Sequence, residues 1–192
     1  MARETGDRRG EGQALNNLGN AYAALGEPRR AIELHEQHLA IARETGDRRG
    51  EGNALGNLGN AYAALGEPRR AIELYEQHLA LARETGDRRG EGNALNNLGN
   101  AYAALGEPRR ALELYEQRLP IAREVGDRRG EGIALFNRAK AFQKLEEREL
   151  AQVDAWAALA IFEAIESPYA ANARQLLENL NRETQSEGGR DE

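Results

Sequence analysis

Rows of asparagine recur along this sequence at helical spacing, and amide side chains in a row are suited to binding the backbone of another chain. Asn53, Asn57 and Asn60 are four and three residues apart, which places them in one line on a helix. Each costs roughly 0.5–0.7 kcal/mol of helix stability relative to alanine, so some interaction should offset it. Because an amide both donates and accepts, hydrogen bonds to an extended peptide would do so. Hydrogen bonds between neighbouring helices are the alternative.

Equivalent positions recur at the same spacing elsewhere in the chain, and together they form the predicted peptide-binding set. That set comprises Gln13, Asn17, Asn20, Asn53, Asn57, Asn60, Asn93, Asn97, Asn100, Asn137 and Lys140.

Paired arginines form a second group with chemical potential. Arg48 with Arg49, and Arg88 with Arg89, each stand at the start of a predicted helix. The planar guanidinium group pairs with carboxylates, so these four side chains are predicted contacts for an acidic ligand. A solvated edge paired with nearby Asp and Glu is the alternative, and it is favoured.

The other chemistry-bearing residues give no pattern of a reactive site. His35 and His38 are three apart on a helix, a chelating spacing, but no third ligand is evident, so neither a metal site nor a cofactor is expected. Gly46, Gly50 and Gly52 lack the Gly-Lys-Ser/Thr ending of a phosphate-binding loop. No serine or cysteine nucleophile has a histidine partner, so an enzyme is not expected.

Composition narrows the function classes further. The 192 residues carry 26 basic and 32 acidic side chains, a net charge of −6, which argues against nucleic-acid binding. Cysteine is absent, so disulfides and thiolate metal sites are excluded. No apolar run approaches 18 residues, so no membrane span is expected. The polar residues after Met1 do not resemble a secretory signal, and a cytoplasmic location is expected.

The elements that position these residues are set by a 40-residue internal repeat. Gly12–Glu51 and Gly52–Glu91 differ at four positions, and Gly92–Glu131 differs from the second copy at six. Such similarity indicates recent duplication or an engineered repeat array. The predicted units are 7–46, 47–86, 87–126 and 127–167.

Each unit contains the signals of two helices joined by a tight turn. In the second unit, Asp47 is a good N-cap for a helix A over residues 48–65. Gly66 ends that helix, and Pro68 begins a helix B over residues 68–85. Helix A carries an apolar stripe of Leu55, Leu58, Tyr62 and Leu65, and helix B one of Ala71, Leu74, Tyr75, Leu79 and Ala82. Gly59, in the middle of helix A, indicates close approach of helix B, with Ala71 facing it.

These residues resemble the tetratricopeptide signature, in Leu58-Gly59-Asn60-Ala61-Tyr62 followed by Ala71 and Tyr75. The 40-residue period, with Gly86-Asp87-Arg88-Arg89-Gly90-Glu91-Gly92 before Leu98-Gly99-Asn100, is similar to the Leu-Gly-Asn-repeat adaptors of the Partner of Inscuteable type. Bacterial regulators that join an NTPase domain to such repeats are similar as well. Gln77-His78-Leu79-Ala80 also fits the longer repeat.

The resemblance implies an all-α fold, a right-handed α-α superhelix of about four hairpins plus a C-terminal capping helix. In such folds helix A lines a concave groove, so the chain is expected to bind a protein or peptide there as a scaffold. A self-associating structural array, as part of a larger sensor or regulator, is the alternative function.

The C-terminal end of the array departs from the repeat. The fourth unit replaces Leu-Gly-Asn with Arg138-Ala139-Lys140, and a capping helix is predicted over 169–182, followed by a disordered tail over 183–192. Trp156 is expected under that cap, or else to mark a contact surface. Pro120 should kink its helix or be tolerated drift, and drift is preferred. The first helix A, residues 8–25, has an interior sequence but lacks a preceding helix B. We expect either further repeats before it in a longer protein, or weak self-association through an open N-terminal end.

Overall fold

The protein, described here from a computed structural model, is built from pairs of antiparallel helices. The structure describes residues 2–188, with side chains over 7–182, and within that range it contains helices and turns without any strand. The all-α fold of repeated hairpins predicted from the sequence is confirmed. The helices are α1 (Ala2–Ala24), α2 (Pro28–Thr45), α3 (Arg48–Ala64), α4 (Pro68–Thr85), α5 (Arg88–Ala104), α6 (Pro108–Glu124), α7 (Arg128–Lys144), α8 (Arg148–Ala164) and α9 (Tyr169–Gly188).

The junction between repeats follows from two residues. Gly46 has a φ of 66° at the end of α2, a left-handed conformation that glycine adopts without a Cβ clash. The following amide, on Asp47, donates to the carbonyl of Ala42 at 2.8 Å. The Asp47 side chain then accepts from the Gly50 amide at 2.9 Å and caps α3. The predicted cap residues are therefore confirmed.

The fourth repeat makes the same turns without glycine. Glu146, at the position of Gly66, has a φ of 62°, and Glu166, at the position of Gly86, has a φ of 51°. A residue other than glycine in this left-handed region costs roughly 1 kcal/mol of stability, yet the hairpin is retained. Helix packing therefore determines these turns where the local sequence does not favour them.

Two helices run further than the sequence predicts. The first was expected to start at Arg8, but α1 starts at Ala2 and passes through Gly6. Residues 2–9 are identical to residues 42–49, yet the chain turns within 42–49, between α2 and α3. Because α2 packs against α3 there, tertiary packing and not local sequence sets that turn. The last helix continues past Arg182 to Gly188, because no glycine or proline interrupts 183–187. The final four residues of the expected disordered tail lie outside the described residues.

The chain divides into two compact units, one ending at Ala101 and one starting at Tyr102, so the boundary falls inside α5. In the first unit, the buried alanines and leucines lie on α2, α3, α4 and the start of α5, with Leu55 and Leu58 each 2% exposed. In the second unit, α7, α8 and α9 share one buried cluster that includes Leu135, Phe162 and Leu180.

The glycine in the middle of helix A does mark close approach of helix B. A Cβ placed on Gly59 would overlap the ring of Tyr75, and one on Gly19 would lie 2.6 Å from the ring of His35. The contact expected with Ala71 is thus made by the aromatic residue one turn later on α4. Ala71 itself is fully buried.

Two residues that the sequence left open are exposed. Trp156 is 59% exposed, so its expected burial under the capping helix is wrong. The cap α9 packs instead on the side of α8 that carries Ala155, Leu159 and Phe162. Pro120 lies on the exposed side of α6, which continues through it to Glu124, in keeping with tolerated drift.

Candidate functional site

In the first unit, the helix-A elements α1, α3 and the start of α5 lie side by side and are joined by amide side chains. The Nδ2 of Asn57 donates to Oδ1 of Asn16 at 2.9 Å, and the Nδ2 of Asn97 donates to Oδ1 of Asn60 at 3.2 Å. Asn60 also accepts from the hydroxyl of Tyr75 at 2.8 Å. Asn57, Asn60 and Asn97 of the predicted row therefore make the hydrogen bonds between helices that were the structural alternative.

Most amides of the row are exposed to solvent, including Asn60, which also makes the contacts above. The exposed members in the first unit are Gln13, Asn17, Asn20, Asn53, Asn60, Asn93 and Asn100. We call the side of α1, α3 and α5 that carries them the A-face. Exposed amide groups on this side can hydrogen-bond a ligand.

A pocket of about 580 Å³ opens on the A-face between α3 and α5, with the end of α4 beneath it. It brings together predicted residues of two successive repeats. Its lining includes Arg48, Arg49, Asn53, His78, Leu81, Asp87, Arg89 and Asn93. Of the predicted acidic-ligand contacts, only Arg88 is not part of this lining.

The two arginines of each pair have different roles. Arg48 donates to Glu51 at 2.7 Å and to Glu84 at 2.5 Å, and Arg88 donates to Glu91 at 2.5 Å. These first arginines are held in ion pairs, as the favoured alternative expects. Arg49 and Arg89 are exposed, and neither has an ion pair among the residues that the structure describes. Contact with an acidic ligand therefore stays a prediction for these two.

Two of the glutamates that pair with the first arginines, Glu51 and Glu91, are buried. Glu91 is 8% exposed. Burial acts to raise the pKa of its carboxyl, but hydrogen bonds from Arg83 and Arg88 outweigh burial and hold that pKa below its usual range. At the preceding junction between repeats, Arg43 and Arg48 both donate to the carboxylate of Glu51.

A buried histidine closes the bottom of the pocket. His78 is 8% exposed, and its Nδ1 has no hydrogen-bond partner within the described part of the chain. Burial lowers the pKa of its imidazole, although the nearby Asp87 carboxylate acts in the opposite direction. The imidazole is therefore neutral near pH 7 and presents a polar edge rather than a charge.

Basic side chains recur at this buried position in three repeats. His38 and Arg118 occupy it in the first and third repeats and are 5% and 3% exposed. Arg118 donates to Asp127, the N-cap of α7. For His38, burial lowers the pKa of the imidazole, while Asp47 acts to raise it. Each of these basic groups thus lies beside the aspartate that starts the next repeat.

A smaller pocket of about 240 Å³ lies between α1 and α3 on the same A-face. Asn20, Asn57 and Asn60 line it, and the buried ring of His35 closes it from α2. Burial, and to a smaller extent the neighbouring His38, lower the pKa of His35 to about 4. The A-face therefore offers two openings, each with polar walls and a neutral imidazole at its base.

The predicted residues of the second unit have different surroundings. Lys140 is exposed and lies over the ring of Phe136 at 5.7 Å, while Asn137 is half-buried. Arg129, the equivalent of Arg49 and Arg89, lies over the ring of Tyr169 on α9 at 5.6 Å. The capping helix thus engages the arginine that stays open in the first unit.

Two further features bear on function. Among the described residues, no three His, Asp or Glu side chains are grouped so that they could hold a metal ion. None of the helices in that range combines the length and apolar character needed to cross a bilayer.

Comparison with protein families settles the family. The family model described as Tetratricopeptide repeat matches residues 10–84, 50–124 and 91–164. The chain belongs to the tetratricopeptide-repeat family. A comparison with curated protein sequences gives no match.

Solved structures share this tetratricopeptide fold at low sequence identity. A Podosopora anserina putative kinesin light chain with nearly identical TPR-like repeats is 24% identical, with 93% of this chain and 88% of that chain covered and a TM-score of 0.73. The apo form of RapI is 17% identical, with 92% and 65% covered and a TM-score of 0.83. A Pyrococcus horikoshii signal transduction ATPase with a tetratricopeptide repeat sensor is 21% identical, with 88% and 27% covered and a TM-score of 0.78. At these identities the likeness shows the fold alone.

Some residues of the tetratricopeptide site were missed by reasoning from sequence. His78 and Leu81 were left off the apolar face of helix B, yet both are buried and line the larger pocket. The spacing 71, 75, 78 and 82, a regular helical stripe, was the signal that placed His78 inward. Asn16 was also missed, because its position is Gly56 in the next repeat, and it is 8% exposed beneath Asn57.

Proposed function

We propose that the chain binds an extended segment of another protein along the A-face, with acidic side chains of that segment entering the pocket between α3 and α5. Tetratricopeptide-repeat proteins generally mediate protein–protein interactions. We also propose that the repeats are of the Leu-Gly-Asn adaptor type, on the basis of their 40-residue period. This type favours a role as an adaptor without catalysis.

The observation that carries the proposal is the composition of the larger pocket. It gathers Arg49 and Asn53 from α3 with Arg89 and Asn93 from α5, so one ligand group would contact two repeats at once. Both arginines are exposed without an ion-pair partner in the described range. A guanidinium that is not already paired gains most from a carboxylate, since charge-assisted hydrogen bonds are about twice as strong as neutral ones.

The ligand's backbone is matched by the exposed amides. Asn53 and Asn93 hold equivalent places on α3 and α5, and each offers a donor and an acceptor beside the pocket. A helical ligand would have satisfied its own backbone groups, so amide recognition of this kind favours an extended segment.

The test uses a defined pair of peptides. One is a 12-residue Ser/Pro-rich peptide with three glutamates, and the other carries glutamine at those three places. We expect the glutamate peptide to bind and to shift the backbone amide NMR signals of residues 49–53 and 89–93. Arg49→Ala with Arg89→Ala should weaken binding by at least about tenfold, the loss of roughly 1.4 kcal/mol of charge-assisted contact.

A matched control separates the pocket from general charge attraction. Arg29 and Arg69 are exposed arginines at the starts of α2 and α4, so changing both to alanine removes the same charge away from the A-face. This control should bind within about twofold of the parent protein. Equal weakening by the two pairs of substitutions, or equal binding of the two peptides, would show that the pocket is not the site.

A further inference from the structure

A stripe of exposed apolar side chains lies on α8, in the second unit. Leu150, Val153 and Trp156 are 48%, 64% and 59% exposed, respectively. They are three residues apart, so they follow one side of the helix over about two turns. Ala160, four residues after Trp156, is exposed on the same side. Large apolar side chains grouped on a surface, in contrast to single ones, mark interaction sites.

The other repeats carry charged residues at the same three positions. In the second repeat these are Arg70, Glu73 and Glu76, and the first and third repeats have the same residue types. In each of those repeats the arginine lies over a tyrosine of helix A, as Arg70 does over Tyr62 at 5.5 Å. The fourth repeat therefore replaces three charged residues by three apolar ones on one side of one helix.

Packing within the second unit does not account for this change. The capping helix α9 covers the side of α8 that carries Ala155, Ala158 and Phe162, where Leu176 and Leu180 meet them. The stripe faces away from that contact and remains exposed. A contact outside the described part of this chain would explain the loss of the charges.

The surroundings of the stripe indicate the charge of its partner. Residues 146–166 contain six acidic side chains and one basic side chain, Arg148. Asp154 is buried against Arg138, and Glu163 is paired with Arg174 of α9 at 2.6 Å, but Glu149 is exposed on the side of the stripe without an ion pair in the described range. Two copies of this surface facing each other would bring like charges together, which disfavours self-association through it.

We propose that this α8 surface (Glu149, Leu150, Val153, Trp156 and Ala160) is a docking site for a basic amphipathic helix of another protein. Apolar side chains of that helix, spaced three and four residues apart, pack over Leu150, Val153 and Trp156, and lysines or arginines at its end near the start of α8 meet Glu149. Helix-on-surface recognition with this spacing is a common mode, and a tryptophan is a frequent anchor of such contacts. The site uses no residue of the A-face pocket and is independent of the function proposed there.

The chain supplies its own probe, because Trp156 is its only tryptophan. The test peptide is an 18-residue amphipathic helix with leucines at heptad positions a and d on one side and lysines on the opposite side. Its control peptide has glutamate in place of every lysine. We expect the lysine peptide to shift the Trp156 emission to shorter wavelength, with saturation in the micromolar range. The glutamate peptide should bind at least about tenfold more weakly.

A matched variant comes from the second repeat. Leu150→Arg, Val153→Glu and Trp156→Glu together install residues that the same helix position already carries elsewhere in the chain. Binding of dye-labelled lysine peptide, followed by anisotropy, should fall at least about tenfold in this variant. Arg49→Ala with Arg89→Ala should leave it unchanged.

Three results would overturn the proposal. The first is equal affinity for the lysine and glutamate peptides, which would indicate apolar adhesion alone. The second is unchanged binding by the triple variant with circular dichroism like that of the parent. The third is an increase in molecular mass with concentration that the triple variant abolishes, because a second copy would then be the occupant.

Discussion

The second and fourth repeats fold into the same helical hairpin from different side-chain pairs. In the second repeat, Gly59 on helix A leaves room for the ring of Tyr75 on helix B. In the fourth repeat the equivalent residues are Ala139 and Ala155, both fully buried. A glycine–tyrosine pair and an alanine–alanine pair thus occupy the same place between the two helices.

A second pair of positions changes in the same coordinated way. Leu58 and Leu74 of the second repeat correspond to Arg138 and Asp154 of the fourth. Arg138 donates to the Asp154 carboxylate at 2.5 and 2.7 Å, and that contact raises the pKa of the guanidinium despite partial burial. At both places the two partners differ together between the second and fourth repeats, so the same hairpin is built from different side-chain pairs.

The largest effect is expected from breaking the Arg138–Asp154 pair. Asp154 is 4% exposed, so Asp154→Leu leaves the arginine without its carboxylate, at a cost of about 3 kcal/mol in the free energy of unfolding. Arg138→Leu together with Asp154→Leu restores the residue types of the second repeat and should come within about 1 kcal/mol of the parent. Urea denaturation of the three proteins measures both values.

The double variant is the decisive protein in that series. Should it be as unstable as the single variant, the fourth repeat would require the ion pair for its fold, and the two repeats would not be interchangeable at these positions. A double-mutant cycle with Arg138→Leu alone then gives the coupling between the two side chains.

A smaller effect is expected at the glycine–tyrosine pair. Gly59→Ala places a methyl group against the Tyr75 ring and should cost about 2 kcal/mol, because this contact has no free space. In a Tyr75→Ala background the same change should be neutral, or stabilise by up to about 1 kcal/mol, since alanine favours the helix. Equal destabilisation by Gly59→Ala in both backgrounds would mean that the glycine is needed for another reason.

The features that the repeats share are largely those that the sequence predicts. The 40-residue period, the cap at Asp47 and the turn before Pro68 are local signals, and the predicted hairpins follow from them. The exposure of Trp156 could not be derived, because it depends on which side of α8 the capping helix covers.

The residues of the candidate site could be predicted from the sequence, but the contacts that they make could not. The asparagines and arginines of the A-face were found from spacing, since equivalent residues of stacked repeats must share one side. Their division into paired and open side chains, such as Arg48 against Arg49, depends on where Glu84 of the neighbouring helix lies. The burial of His78 was not predicted, because the helix-B stripe was drawn from apolar residues and Tyr75 alone, although the helical spacing of His78 places it inward.

An effect of similar size, which depends on pH, is expected at the same interhelical place in the first repeat, where His35 takes the position of Tyr75. His35 is 1% exposed, and burial lowers its pKa to about 4, below the usual value of about 6.5. The unfolded chain therefore binds a proton that the folded chain does not, over the range between those two pH values, and stability falls as the pH is lowered through it. We expect a loss of about 2 kcal/mol from this residue between pH 6.5 and 4. His35→Tyr installs the second-repeat residue, whose ring fits over Gly59 as the imidazole fits over Gly19. Urea denaturation at pH 7.5, 5.5 and 4.5 should show the variant losing less stability on acidification than the parent, because the carboxylates that also titrate are common to both. If the two stability profiles run parallel across this range, the imidazole is not the group that makes the first repeat sensitive to acid.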